Sequence, residues 1–543
     1  MDLSFLLAGT GKTMTSFFSM TYLFAFLPVC LIVYAVTPKK AKKYVLLAES
    51  LLFFWLVSGA LVLYLILSAV SVFCFGLWLD KLQQKQKTAL KGLPKEEKKA
   101  AKQKHLRKQR AVLALGVLIH IGMLLVLKYS EFFLGNINSI LSAFNCPFRM
   151  YIPKFIMPVG ISFFTLQAVS YITDVYHGLI AADRNFPRIL LFMSFFPQIV
   201  EGPICRYGQT AEQLWNVGQI KYRSLTFGLQ RILFGMMKKI VVADRLDPLV
   251  KKVFDEPNSF DGGVIILAAV CYTVQLYMDF SGSMDAVLGT AEIFGVKLPE
   301  NFQRPFFSRS VSEFWKRWHI TLGAWFKDYI FYPVTSSKRM KNLTSSARKK
   351  LGNHYGPLAA GGIALFCVWW CNGLWHGAGW NFIFFGMYHF VLILSGNLIE
   401  PLVKPINNKL HIKTDSAGYK VFQIIRTTIL VIIGELFFRA NGIASGMQLF
   451  GRIFSDLTFR SFDGGLLYRL GVDRYDLIIA AVTVVIVFII SILNEKCISI
   501  REALEKKSLV FRWCILYVLI LYIVVFGAYS FGYIPVDPMY AQF

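Results

Sequence analysis

The chain has 543 residues, of which 55% are hydrophobic and only 17% charged, and it carries a formal net charge of +26. Soluble domains carry about 25% charged residues, and a surface this apolar would expose large greasy patches to water, so a water-soluble fold is excluded. Disorder is excluded by the high hydrophobicity, and a small disulfide scaffold by length and by only nine cysteines. An all-α, polytopic membrane protein remains.

In chain order, Met1–Lys12 lacks a signal-peptide pattern: its Lys follows the short apolar stretch instead of preceding it. Gly9-Thr10-Gly11-Lys12-Thr13 mimics the end of a phosphate-binding loop, but Leu6 stands where that motif needs glycine. A first span runs from about Phe17 to Val36 and ends at Lys39, Lys40, Lys42 and Lys43. From Tyr44 to Leu79 the chain is mostly apolar, about 54 Å as a helix and too long for one ~30 Å crossing. Two short helices turning at Gly59 fit better, and they place Lys39–Lys43 on the same side as Lys81–Arg110. That second segment holds twelve Lys/Arg and two Glu; a third, Lys338–Lys350, holds six Lys/Arg and no acid. Together the three segments account for twenty of the twenty-six charges. Basic clusters beside spans mark the cytoplasmic side. They predict basic cytoplasmic loops at 81–110 and 336–351, lying near anionic lipid headgroups, and an extracellular N-terminus. No aromatic residues interleave with the lysines, so nucleic acid is not the expected partner.

Further apolar stretches, several of them shorter than 18 residues, predict roughly eleven spans with a few re-entrant or interfacial pieces in one integral membrane domain over 1–543. The cysteines lie mostly in or beside apolar runs and read as small buried hydrophobes. Cys367, Cys371 and His376 lack a fourth ligand, so no metal site is expected.

Three patches put ionisable groups where lipid would reject them. In Val311–Phe331, Trp315, His319, Leu322 and Phe326 recur at helical spacing. Glu313, Lys316, Arg317, Lys327 and Asp328 fall in the same segment. Each charge at the centre of a lipid-exposed span costs about 2.5–3.5 kcal/mol, so the segment belongs at an interface or in a wet cavity. In Trp369–Asn381, three glycines loosen the backbone where Asn372, His376 and Asn381 project. Ionisable groups and broken backbone at membrane depth point to function. In Tyr277–Asp285, Asp279 and Asp285 are six apart and face different sides of a helix, with Arg304, Arg309 or Arg317 as available partners. His120 and His389 read as packed structural histidines. On this chemistry alone a membrane enzyme and a transporter are both open.

The three patches, in this order, resemble the membrane-bound O-acyltransferase superfamily, and within it the bacterial polysaccharide branch of alginate O-acetyltransferase membrane subunits. The teichoic acid D-alanyltransferases are a sister branch. The resemblance rests on Pro158–Thr165, Asp174-Val175-Tyr176, Phe195–Ile204, Met278–Gly282, Leu298–Pro305, Phe314–His319, Leu374–Gly377 and Glu435–Ala440, covering about 150–455. It implies a helical bundle around a central funnel. It also implies His376 and His319 as catalytic residues. Beside them, on the chemistry of the residues, Asn372, Trp375, Asp279, Asp285, Arg317 and Trp318 are the substrate-tunnel candidates, with Asn372 and Trp375 placed to stabilise an oxyanion. The implied reaction carries an acyl group, expected to be acetyl, from a cytoplasmic thioester towards an extracellular hydroxyl. The expected donor is acetyl-CoA, with an acyl-carrier thioester as the alternative, and no cofactor stays bound. The implied partners are a cell-surface polysaccharide acceptor or a separate extracellular acyltransferase, in a bacterial cell membrane. D-alanyl transfer to teichoic acid and polysaccharide or lipid transport are the competing functions.

Overall fold

The computed structural model describes residues 17–528. The Gly9–Thr13 segment and the N-terminus expected outside the cell lie outside the described residues. Among the described residues every regular element is a helix, and the one β-type contact is an isolated antiparallel bridge between Phe302 and Trp318. Among the described residues, eight helical runs are long and apolar enough to cross a membrane, and Thr21–Val36 is a shorter apolar run. This is fewer than the eleven expected. Lys42–Ala89 makes one long run, and the apolar stretches near 160 and 190 form helices of only 17 and 9 residues, Ile161–His177 and Phe186–Ser194. The break expected at Gly59 is present: Lys42–Ser58 ends there, at φ 56° and ψ −135°, and Val62–Ala89 follows.

The basic segments are not loops. Val62–Ala89 carries Lys81, Lys85 and Lys87 on its last turns, and Lys95–Ala143 begins after only a five-residue turn. The segment at 336–351 is likewise mostly helical from Lys338, with the Ser337 hydroxyl accepting from the Met340 amide. Lys, Gln, Ala, Leu and Glu are strong helix formers, and a helix projecting from the membrane holds such charges in water without breaking its own hydrogen bonds.

The chain divides into two compact units. The first comprises 17–229 with 287–299. Its core is aromatic: Phe26 and Phe53 pack on Phe196 at 5.4 and 5.8 Å, and Tyr34 packs edge-on to Phe294 at 5.0 Å. Lys42 is buried there, its ammonium donating to the Tyr34 carbonyl at 2.5 Å.

The second unit comprises 230–286 with 300–528 and contains every candidate site residue. Its central feature is the antiparallel pair Lys338–His376 and Trp380–Lys409, joined through extended backbone at Gly377 and Gly379. Glycines let these helices touch backbone to backbone. A methyl on Gly373 would lie 2.6 Å from the Phe382 carbonyl oxygen, and one on Gly386 would lie 2.3 Å from that of Trp369. Gly386→Ala and Gly373→Ala should therefore each destabilise the protein by about 1–3 kcal/mol, the cost of overpacking. Gly396→Ala, on the same helix with nothing within 4 Å, should be nearly neutral. Thermal unfolding in detergent would compare them, and a neutral Gly386→Ala would contradict the packing.

Candidate active site

Val311–Phe331 is not one helix. Val311–Arg317 is capped by the Ser310 hydroxyl, which accepts from the Glu313 amide. Trp318 is then extended, His319 is left-handed at φ 47° and ψ 49°, and a new helix runs Ile320–Phe326. A left-handed residue other than glycine costs about 1–2 kcal/mol, so something must hold it. The motif Leu298–Pro305 does so. The Arg317 carbonyl accepts from the Gln303 amide at 2.9 Å, and the Ile320 amide donates to the Asn301 carbonyl at 3.0 Å. The Asn301 side-chain oxygen accepts from both the Thr321 amide (3.0 Å) and the Thr321 hydroxyl (2.7 Å). The helical stripe expected from the spacing fails because these partners pull the backbone out of the helix at Trp318 and His319.

A second set of contacts comes from paired charges. The Gly262–Ile293 helix crosses the chain at Gly235 through Gly282, where a methyl on Gly235 would lie 2.5 Å from the Gly282 carbonyl oxygen. Just beyond that crossing, the π-helical turn Met237–Ala243 buries two consecutive lysines. Lys239 bonds Asp279 and Asp244, both at 2.8 Å. Lys238 bonds Asp285 at 2.5 Å and the Ser281 hydroxyl at 2.9 Å. Arg231 bonds Asp285 at 2.9 Å and grips Glu300 with two nitrogens, at 2.8 and 2.6 Å. The two carboxylates do face different sides of their helix, and each side has its own cation. Those cations are Lys238, Lys239 and Arg231, not the Arg304, Arg309 or Arg317 considered from sequence. The legible signal was Lys238-Lys239 inside the apolar stretch Phe227–Val242.

Between the paired acids lies Phe280, whose ring meets His319 at 4.9 Å. On its other side His319 meets Trp375 at 5.4 Å, and Trp375 meets His376 at 5.1 Å, both edge-on. Phe385 and Phe438 close on His376 at 5.8 and 5.1 Å. Both histidines are buried, 2% and 3% exposed. One indole thus separates two imidazoles. Asn372, one turn before His376, is buried with its side-chain oxygen accepting no hydrogen bond.

The structure therefore gathers His319, Trp375 and His376, with Asn372 on the same helix end. It holds Asp279 and Asp285 in ion pairs. Arg317 bonds Glu313 at 2.9 Å and Glu495 at 3.2 Å, and Trp318 stacks on Phe314 and meets Phe302 edge-on. His389 is wholly buried among Trp315, Trp369 and Phe385. His120 bonds the Gly116 carbonyl at 2.8 Å. Sequence reasoning missed Phe280 and Phe385, whose rings reach His319 and His376, and Asn301, whose side chain fixes Thr321 two residues after His319.

Burial pushes the His319 imidazole from 6.5 down to about 3. Below pH 6.5 the unfolded chain takes up a proton that the folded chain refuses, so this residue's share of stability is intact above 6.5 and drains away as pH falls towards 3. Thermal midpoints between pH 7 and 4.5 should fall less steeply for His319→Gln than for the parent chain. Equal slopes would refute this. Lys239→Met strands Asp244 and Asp279 in the interior and should cost about 3–5 kcal/mol. Adding Asp279→Asn should recover part of it, and a Lys239→Met protein of parental thermal midpoint would show the pairing to be idle.

A family description, "MBOAT, membrane-bound O-acyltransferase family", matches residues 14–348, which include His319; His376 lies beyond the matched segment. "Probable alginate O-acetylase AlgI" of Azotobacter vinelandii is 29% identical over 445 residues, covering 81% of this chain and 78% of that protein. The protein of the same name from Pseudomonas syringae pv. tomato is 30% identical over 441 residues, covering 81% and 75%. "Peptidoglycan O-acetyltransferase" of Helicobacter pylori is 29% identical over 460 residues, covering 79% and 77%. With most of its length matched by the family and by these relatives, and with a multi-pass helical fold, the chain belongs to the membrane-bound O-acyltransferase family and is an O-acyltransferase.

Proposed function

We propose that the protein moves an acetyl group from acetyl-CoA on the cytoplasmic side to hydroxyls of a cell-surface polysaccharide, directly or through an extracellular acyltransferase partner, in a bacterial cell membrane. The observation that carries this is the row His319–Trp375–His376, with imidazoles on either side of one indole at 5.4 and 5.1 Å. The relatives named for alginate and peptidoglycan acetylation support the acceptor class.

The chemistry follows from the residues. A hydroxyl oxygen attacks the thioester carbonyl, the new C–O ester bond forms, and the C–S bond breaks. A neutral His376 takes the hydroxyl proton during attack and passes it to the departing thiolate. General-base help of this kind is worth about 10²–10⁴-fold. The Asn372 amide and the Trp375 indole are the candidate donors to the developing oxyanion. His319, held beside the same indole, positions it and lines the donor's approach. Topology is consistent with transfer across the membrane. The helix that begins in the basic cluster bends at Gly352 and ends at His376. From 353 to 376 it spans about 36 Å, so a cytoplasmic cluster puts His376 towards the far face, where a surface polymer arrives.

The second reading is D-alanyl transfer. "Teichoic acid D-alanyltransferase" of Bacillus subtilis is 30% identical over 45% of this chain. Cells carrying His376→Ala should keep the protein and the exported polymer but lose its ester groups, and His319→Ala should lower esterification without loss of membrane insertion. Mass spectrometry of the released acid separates acetyl from alanyl. Unchanged esterification in His376→Ala would remove His376 from the chemistry, and loss of the polymer itself would point to transport.

A further inference from the structure

Glu435–Ala440 belongs to the family-like pattern, yet the chemistry above uses none of it. Phe438 is the residue of that segment that reaches the site. It lies buried on the last turn of the helix Ala417–Arg439. Its ring stands 5.1 Å from His376, 5.1 Å from Phe382 and 5.0 Å from Phe385, steeply inclined to each. Ring pairs at such distances are in contact, with no layer of solvent or ligand between them. Phe385 and Trp375 complete a collar on the other sides of the His376 imidazole, at 5.8 and 5.1 Å. The backbone leaving His376 adds a wall, since a methyl on Gly377 would fall 2.2 Å from the Phe382 ring.

The collar is also fixed in place. The Asn381 amide nitrogen donates to the carbonyls of Phe438 (3.2 Å) and Ala440 (3.3 Å), which anchors the end of the Ala417–Arg439 helix to the start of Trp380–Lys409. The neighbouring Phe437 packs on Phe384 at 4.4 Å and on Phe450 at 5.6 Å, so the turn cannot slide outward without unpacking a second cluster. The acid in the same segment faces elsewhere: the Glu435 carboxylate accepts from the Thr273 hydroxyl at 2.5 Å. The rings packed on His376 are aromatic and apolar, and they stand close.

We infer that Phe438 is a specificity-determining residue that limits the acyl group at His376 to two or three carbons, and that Asn381 is the positioning residue that holds it there. The inference rests on the acyl-transfer reading and deepens it by naming the acyl class. A two-carbon acyl group presents one methyl to the collar. Each added methylene must displace an aromatic ring already in contact with its neighbours, and hydrophobic pockets discriminate single methylenes by about 10–200-fold.

The test uses the full-length protein in membranes from cells that make the native surface polymer, so the acceptor is present, with acetyl-, propionyl-, butyryl- and hexanoyl-CoA as donors. Release of free thiol and acyl ester on the polymer are both read. The parent protein should favour acetyl over butyryl by at least about tenfold. Phe438→Ala should reduce that preference about tenfold or more, read as the ratio of acetyl to butyryl transfer whatever the absolute rate. Phe438→Leu, which keeps an apolar side chain should the smaller residue unfold the turn, should reduce it in the same direction. Asn381→Ala should relax the preference without changing which donor is used fastest. An unchanged ratio in a folded, active Phe438→Leu protein overturns the inference and leaves the acyl-transfer reading intact, as does a parent protein that uses butyryl-CoA as well as acetyl-CoA. A folded parent protein silent with every donor overturns the acetyl-CoA reading and the inference with it.

Discussion

A charge withdrawn from water must meet its opposite where it lies, and this constraint organises the site. Lys238 and Lys239 are consecutive, buried, and bonded to different acids on one crossing helix, Asp285 and Asp279. An unpaired ion in such surroundings costs several kcal/mol, so the pairing fixes how the chain at Gly235 meets the helix at Gly282. A rotation of that helix would part Asp279 from Lys239 and Asp285 from Lys238 together. Phe280 lies between the two acids, so the same pairs hold its ring against His319. The residues Met278–Gly282 thus act as one device: an acid, a ring, a hydroxyl and a glycine, each with a separate contact. Buried salt bridges are poor sources of net stability, and their better-attested use is to specify one arrangement out of several. Here the arrangement specified is the orientation of a wall of the candidate site.

The backbone at His319 illustrates a related economy. Helix is the cheapest conformation in an apolar interior because it satisfies its own amides. Leaving it for Trp318 and His319 exposes donors and acceptors, and the left-handed turn adds strain. Asn301 offsets both, with a backbone carbonyl for one amide and a side-chain oxygen for the amide and hydroxyl of Thr321. Strain kept in this way concentrates at functional positions because only a surrounding that over-determines the geometry can maintain it. The direction of the His319 ring is therefore set by a residue eighteen positions earlier in the chain.

Much of this was legible beforehand. Composition and the distribution of lysine placed the chain in a membrane, and charge in Val311–Phe331 together with the histidine and glycines of Trp369–Asn381 singled out the two segments that the structure brings to one indole. What stayed hidden depends on contacts between distant residues. Helical spacing predicted an unbroken stripe through His319 because periodicity does not see Asn301. The partners of Asp279 and Asp285 stayed hidden because the lysines that answer them lie about forty residues away, inside a stretch whose hydropathy hides them. The basic segments read as loops because charge marks solvent, whereas their Lys, Gln, Ala and Leu content also favours helix and the structure follows that preference. Phe438 stood out only as part of the family-like segment Glu435–Ala440, and nothing marked it as a neighbour of His376 among 49 phenylalanines.

The two histidines share Trp375 but are built differently, and the difference bears on their roles. His319 is locked: left-handed backbone, the residues after it hydrogen-bonded to Asn301 and Arg317 before it to Gln303, and rings on two faces. Its burial favours the neutral form and leaves it little freedom to follow a moving proton. His376 ends a helix, and the extended backbone at Gly377 and Gly379 continues from it without a helical turn overhead. A proton-transferring base must shift slightly between accepting and releasing, and a helix end beside glycine permits that where a clamped left-handed residue does not. The rigid imidazole is then suited to holding the shared indole in place, and the less constrained one to meeting the substrate. The aromatic collar reconciles the two demands, because edge-packed rings hold His376 near its place through contact while its helix end keeps room to adjust.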